Sequence, residues 1–136
     1  MQIGMTRTLI GLLILSGVIF ILNKVALVHF FYWRFWWYDI MMHFMSGALI
    51  GALALWGALR FYPMLSKRKL FLMAILTAIV VGLGWEVMEY VGGITNGEAG
   101  YVFDTVKDLV MDTLGSLLVC SIFMLAARAT PSKEIL

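Results

Sequence analysis

Six carboxylates and one histidine of this chain stand beside or inside apolar runs, where charge is expensive. Asp39 and His43 are four apart and open one run, Glu86 and Glu89 close a second, and Asp104, Asp108 and Asp112 open a third at four-residue steps. Residues four apart share a helix face, so each set reads as a polar stripe along one side of a helix. Carboxylate oxygens with one imidazole suit Mg, Mn, Fe or Zn, and the residues do not choose among them. Asp39, His43, Glu86, Glu89, Asp104, Asp108 and Asp112 are therefore candidate ligands for a divalent metal ion, with Glu89 also a candidate general base. His43, Glu86, Asp108 and Asp112 form the core of the set, because they lie one to two turns inside their helices; Asp112, the deepest, is roughly 10 Å in at 1.5 Å per residue.

Each stripe turns small toward the middle of its helix. Asp39 and His43 continue into Gly47 and Gly51, Glu86 is preceded by Gly82 and Ala78, and Asp112 is followed by Ser116 and Cys120. Small residues let helices approach closely in lipid, so the polar ends are expected to meet where these seams pack. Facing carboxylates cannot all stay ionised without protons or a cation. Lys107 and Arg34 are cations that would neutralise one carboxylate each, but Lys107 lies about 100° around the helix from Asp108, which aims it poorly at the acidic stripe. Asp39 and Asp104 also suit N-cap positions. A di-iron bundle would want a second Glu-x-x-His pair, which is missing, and Ser46 points off the His43 stripe, so a serine triad has no support.

The elements that must position these residues are transmembrane helices. Of 136 residues 62% are hydrophobic and 13% charged, more apolar surface than a soluble domain of this length can hide. The fold class is all-α: a single polytopic domain, 1–136, of four transmembrane helices at about 8–28, 40–59, 70–90 and 105–127. Arg7 before the first run fits a signal peptide, but the exit from Asn23 to Val28 has no small-x-small cleavage pattern, so the run reads as a retained helix. The lone Cys120 excludes an intrachain disulfide and any CxxC site, and a net charge of +2 gives no reason to expect nucleic acid.

Pro63 and the basic loop 60–69 separate the second and third spans; 92–100, with Asn96 and Glu98, has a turn composition. The positive-inside rule places the basic loop and both termini in the cytoplasm. Arg7, Arg60, Lys67, Arg68, Lys69, Arg128 and Lys133 then lie inside, against Lys24, Arg34 and Lys107 outside, and the acidic cluster sits at the outer face. Between the first two spans, 30–38 is aromatic except for Arg34 and Asp39's neighbourhood begins at its end; Trp33, Trp36, Trp37 and Tyr38 are expected to form an outer-interface belt, with His29 interfacial and unliganded at its edge. The sharper reading of this belt is a docking surface for a lipid headgroup or prenyl chain.

Asp39-x-x-x-His43-Phe44, Trp85-Glu86-x-x-Glu89 and Asp104-x-x-x-Asp108-x-x-x-Asp112-x-x-Gly115 together resemble the small bacterial inner-membrane proteins of the VanZ-like and YjdF-like type. The resemblance covers the second to fourth helices. VanZ-like proteins tend to carry Gln at the Glu89 position and Asn at the Asp112 position, so this chain is nearer the YjdF-like type. The resemblance implies a bacterial cytoplasmic-membrane location and, through the link of VanZ to glycopeptide resistance, work on the cell envelope.

Three functions fit these residues. A metal-dependent enzyme would act on an envelope lipid or lipid-linked phosphate at the outer leaflet. A proton or cation transporter would use Asp112 as its titrating group, although two matching broken helices are missing. An accessory membrane subunit would use the cluster as a lock and the Gly seams and aromatic belt to bind a partner or form an oligomer. Membrane lipids are expected partners in each case.

Overall fold

The computed structural model describes residues 2–93 and 100–129, with side chains from 6 to 93 and from 100 to 125. Asn96, Glu98, Lys133 and the side chain of Arg128 lie outside the described residues. Five helices follow one another: α1 (Gln2–His29), α2 (Phe31–Arg34), α3 (Trp36–Phe61), α4 (Lys67–Val91) and α5 (Tyr101–Ala129). Four of them are long and apolar enough to cross a membrane, with candidate spans of 24 to 26 residues, about 36 to 39 Å of helix at 1.5 Å per residue. The four spans expected from the sequence lie inside α1, α3, α4 and α5, and each helix runs past them at both ends.

Local chemistry explains the breaks. Phe30 takes a left-handed conformation (φ 59°, ψ 36°), which ends α1 and turns the chain into α2. A bulky residue there is strained, and it persists only because its surroundings hold it. Phe35 is extended and starts α3. After Phe61 the chain turns at Tyr62 to Ser66, and the Ser66 hydroxyl accepts from the Lys69 amide at 3.5 Å to cap α4. Asp39 and Asp104 are not N-caps, in contrast to the expectation, because α3 begins at Trp36 and α5 at Tyr101; both acids fall in the first helical turn. There they still favour the positive end of the helix dipole.

The aromatic segment splits in two. Trp33, Trp36 and Trp37 are exposed, whereas Tyr38 is buried against Ala26 and Met42 and donates its hydroxyl to the Leu22 carbonyl at 3.1 Å. Tyr32 donates to Asn23 Oδ1 at 2.8 Å. Burial, with the negative field of Asp39, pushes the Tyr32 phenol well above its ordinary range. These two tyrosines tie the end of α1 to the start of α3. His29 is exposed and stacks on Phe31.

α3 is the central helix and packs against α1, α4 and α5. Its seam with α5 is set by glycines. A methyl at Gly47 would overlap the Asp112 backbone, one at Gly51 would overlap Ser116, and one at Gly115 would overlap the backbone of Phe44 and Ala48. Gly82 of α4 gives the same clearance to the Asp112 carboxylate. The backbones of α3 and α5 therefore come close enough for short side chains to reach across. Two apolar clusters bracket this seam: Ala26, Tyr38 and Met42 at one end, and Leu55, Ala58, Leu70, Ala74 and Cys120 at the other. Between them lie the buried polar residues His43, Glu86, Asp108, Asp112 and Ser116.

Candidate functional site

His43 stands at the centre of the polar cluster. Its Nδ1 is 3.4 Å from Asp112 Oδ2, within hydrogen-bond range. Its Nε2 faces Asp39 Oδ1 at 3.6 Å and Asp108 Oδ2 at 3.9 Å, beyond that range. Asp112 thus engages Nδ1, and Nε2 is turned toward two carboxylates.

Lys107 takes the other oxygens of those same carboxylates. Its Nζ is 2.5 Å from Asp104 Oδ1, 3.2 Å from Asp39 Oδ2 and 3.4 Å from Asp108 Oδ1. Asp39 and Asp108 each present one oxygen to the ammonium and one to the imidazole. The expectation that Lys107 is misaimed is corrected here: the glycine seam brings α3 so near that the long lysine stem reaches Asp39 across the interface. The i,i+3 spacing of Asp104 and Lys107 was the sequence signal for part of this.

The cluster is graded in depth. Side-chain exposure falls from 48% at Asp104 through 26% at Asp39 and 23% at Lys107 to 10% at His43, 6% at Asp112 and 4% at Asp108. The more exposed members, Asp104, Asp39 and Lys107, lie toward the end where α3 and α5 begin. Beyond Asp112 only Ser116 continues the polar line; it is fully buried, its Oγ makes no hydrogen bond, and Cys120 with the apolar cluster follows.

The structure places the other candidate ligands apart from this centre. Glu86 is buried on α4, accepts from the Thr105 hydroxyl on Oε2 at 2.8 Å, and leaves Oε1 without a partner. Tyr101 donates to the Glu86 carbonyl at 3.4 Å. Glu89 is half-buried one turn nearer the end of α4. Asp104 is taken up by Lys107, and Asp112 by the far side of the His43 ring. Among the described residues, the group whose ligand atoms lie within 4.8 Å of one another is Asp39, His43 and Asp108. Thr105 was not singled out from the sequence; a hydroxyl at the first turn of a helix carries no signal for a partner on another helix.

Those three residues are close enough together to hold a metal ion. Two ligand atoms about 2.1 Å from one ion lie roughly 3 to 3.5 Å apart at octahedral or tetrahedral angles. The Nε2 to oxygen distances of 3.6 and 3.9 Å are close to that spacing and too long for direct hydrogen bonds. Asp112 on Nδ1 is the outer partner that a metal-binding histidine ordinarily has. The other oxygen of Asp108, Oδ1, lies on the Lys107 side at 3.4 Å from Nζ and is buried without a hydrogen bond. Four carboxylates surround one ammonium and one imidazole; of the four, Asp108 and Asp112 are buried, while Asp39 and Asp104 are partly exposed.

Fold and site together define a small polytopic α-helical membrane protein with a buried imidazole–carboxylate cluster between two of its helices. The chain belongs to the family described as Predicted membrane protein (DUF2238), which it matches over residues 1–129. The YjdF-like side of the resemblance points to this same family. Comparison with curated proteins and with solved structures finds no match.

Proposed function

We propose that this protein is a metal-dependent membrane protein of the bacterial cytoplasmic membrane, holding a divalent ion on Asp39, His43 and Asp108 and acting on an envelope lipid or lipid-linked phosphate at the outer leaflet. The observation that carries the reading is the division of labour around His43: Asp112 holds Nδ1, and Nε2 is turned toward two carboxylate oxygens that Lys107 leaves open. One imidazole with two carboxylates is a donor set for a first-row divalent ion.

When bound, such an ion supplies Lewis-acid polarisation of a phosphoryl or carbonyl oxygen and activation of water. The chain's own residues do the rest. Asp112 fixes the His43 ring. Lys107 neutralises Asp39 and Asp104 at the mouth. Glu89, half-buried at the same end of α4, is the carboxylate assigned as general base. The exposed Trp33, Trp36 and Trp37 lie just before Asp39 in the chain and suit a lipid headgroup region. The basic connection after α3 supports an orientation with both termini in the cytoplasm, and envelope work is proposed from the resemblance in the Asp39-x-x-x-His43-Phe44 element that the chain shares with VanZ-like proteins.

A transport reading is weaker, because the apolar cluster of Leu55, Ala58, Leu70, Ala74 and Cys120 follows Ser116 with no further polar group in it. The test is elemental analysis of the purified protein beside His43→Ala and Asp108→Asn. About one equivalent of a divalent metal in the parent chain and loss of it in both variants is expected. A metal-free parent chain whose variants change assembly would replace the reading with that of an accessory subunit.

A further inference from the structure

We infer that Lys107 is the resident counter-ion of the His43 centre and sets which cations it admits: a divalent ion displaces the ammonium toward Asp104, and a monovalent ion does not. This rests on the metal reading of Asp39, His43 and Asp108 and adds a selectivity determinant to it.

Three observations carry the inference. Lys107 Nζ shares both metal carboxylates, through Asp39 Oδ2 and Asp108 Oδ1, while their other oxygens face His43 Nε2. Its three contacts are unequal. The pair with Asp104 is shortest, the one with Asp39 is intermediate, and the one with Asp108 is longest and closes no hydrogen bond on the buried Oδ1. The contact that yields first is thus the innermost one, and the contact that remains is the one nearest the surface. Finally, Lys107 stands between half-exposed Asp104 and buried Asp108, along the gradient of exposure.

The physical consequence is competition. A tethered ammonium is a monovalent cation at high effective concentration, which free Na+ or K+ cannot outbid by charge. A divalent ion gains twice the attraction from Asp39 and Asp108 and can move it. Retreat costs little because Asp104 already holds Nζ.

The test is Mn2+ binding, followed by the spin-resonance signal of free Mn2+, on the full chain in detergent. The parent chain, Lys107→Met, Asp104→Asn and the double variant are compared at low and high NaCl. Lys107→Met is expected to bind Mn2+ at least tenfold more tightly than the parent chain and to become sensitive to Na+ competition beyond ionic screening, measured against choline chloride. Asp104→Asn, a half-exposed position that tolerates change, is expected to weaken Mn2+ in the parent background and to have much less effect when Lys107 is already Met. Equal or weaker binding by Lys107→Met, or an Asp104→Asn effect independent of Lys107, overturns the inference while leaving the metal reading intact. Absence of Mn2+ binding in every chain overturns both.

Discussion

Asp112 Oδ2 lies 3.4 Å from His43 Nδ1, and it is the same oxygen that a methyl at Gly82 would strike. One carboxylate oxygen therefore links three helices: it belongs to α5, orients the imidazole of α3, and is seated against the bare backbone of α4. Asp112→Asn is expected to weaken metal binding by about 10- to 100-fold, the usual effect of losing the partner that holds a ligating histidine. Gly82→Ala should act in the same direction by pushing Asp112 off the ring. Calorimetric titration with Zn2+ or Mn2+ checks both, and unchanged affinity in Asp112→Asn would remove Asp112 from its orienting role.

Close approach of α3 and α5 makes some glycines irreplaceable and leaves others indifferent. Gly47→Ala places a methyl on the Asp112 backbone, and overpacking of that kind costs about 1–3 kcal/mol or more. Gly57, on the same helix, has nothing within 4 Å of the added methyl, so Gly57→Ala should be neutral or stabilise by up to about 1 kcal/mol through helix propensity. Thermal unfolding in detergent should separate the two, with Tm lowered in the first variant and held or raised in the second.

Thr105 donates to Glu86 Oε2 at 2.8 Å, and the other oxygen of that buried carboxyl has no partner. Thr105→Val leaves the whole carboxyl without a protein hydrogen bond, a change worth about 1–3 kcal/mol of stability. Thr77, whose hydroxyl bonds the Met73 carbonyl of its own helix, is the matched control; Thr77→Val should stay within about 0.5 kcal/mol. A Thr105→Val chain as stable as the control would mean that Glu86 finds another partner.

Orientation is open to direct labelling. Met64 in the α3–α4 connection is 95% exposed, Trp36 at the start of α3 is 81% exposed, and the native Cys120 is buried at 1%. In spheroplasts, Trp36→Cys should react with a membrane-impermeant maleimide at once, and Met64→Cys only after the membrane is broken. The reverse pattern would put the acidic cluster on the cytoplasmic side and end the outer-leaflet proposal.

Spans and their helical character were legible in the residues themselves, because hydrocarbon permits only backbone that satisfies its own hydrogen bonds and four apolar runs of helix length leave no other solution. The Asp39/His43 and Asp108/Asp112 stripes were legible too, since a spacing of four fixes a face whatever the neighbours do. The small residues beneath them announced a close seam. Helix ends were not: Asp39 and Asp104 look like caps, but Phe35 and the turn at Gly100 start the helices a turn earlier. Nor was the burial of Tyr38, which depends on α1 folding back against α3. Which acids meet was decided only by the tertiary structure. Periodicity places a side chain on its own helix but says nothing about the rotation and depth of the next one. The contacts of Gly47, Gly51 and Gly115 set that register between α3 and α5. The register sends Asp112 to one nitrogen of His43, turns the other toward Asp39 and Asp108, leaves Glu86 to Thr105, and draws Lys107 over the mouth of the site.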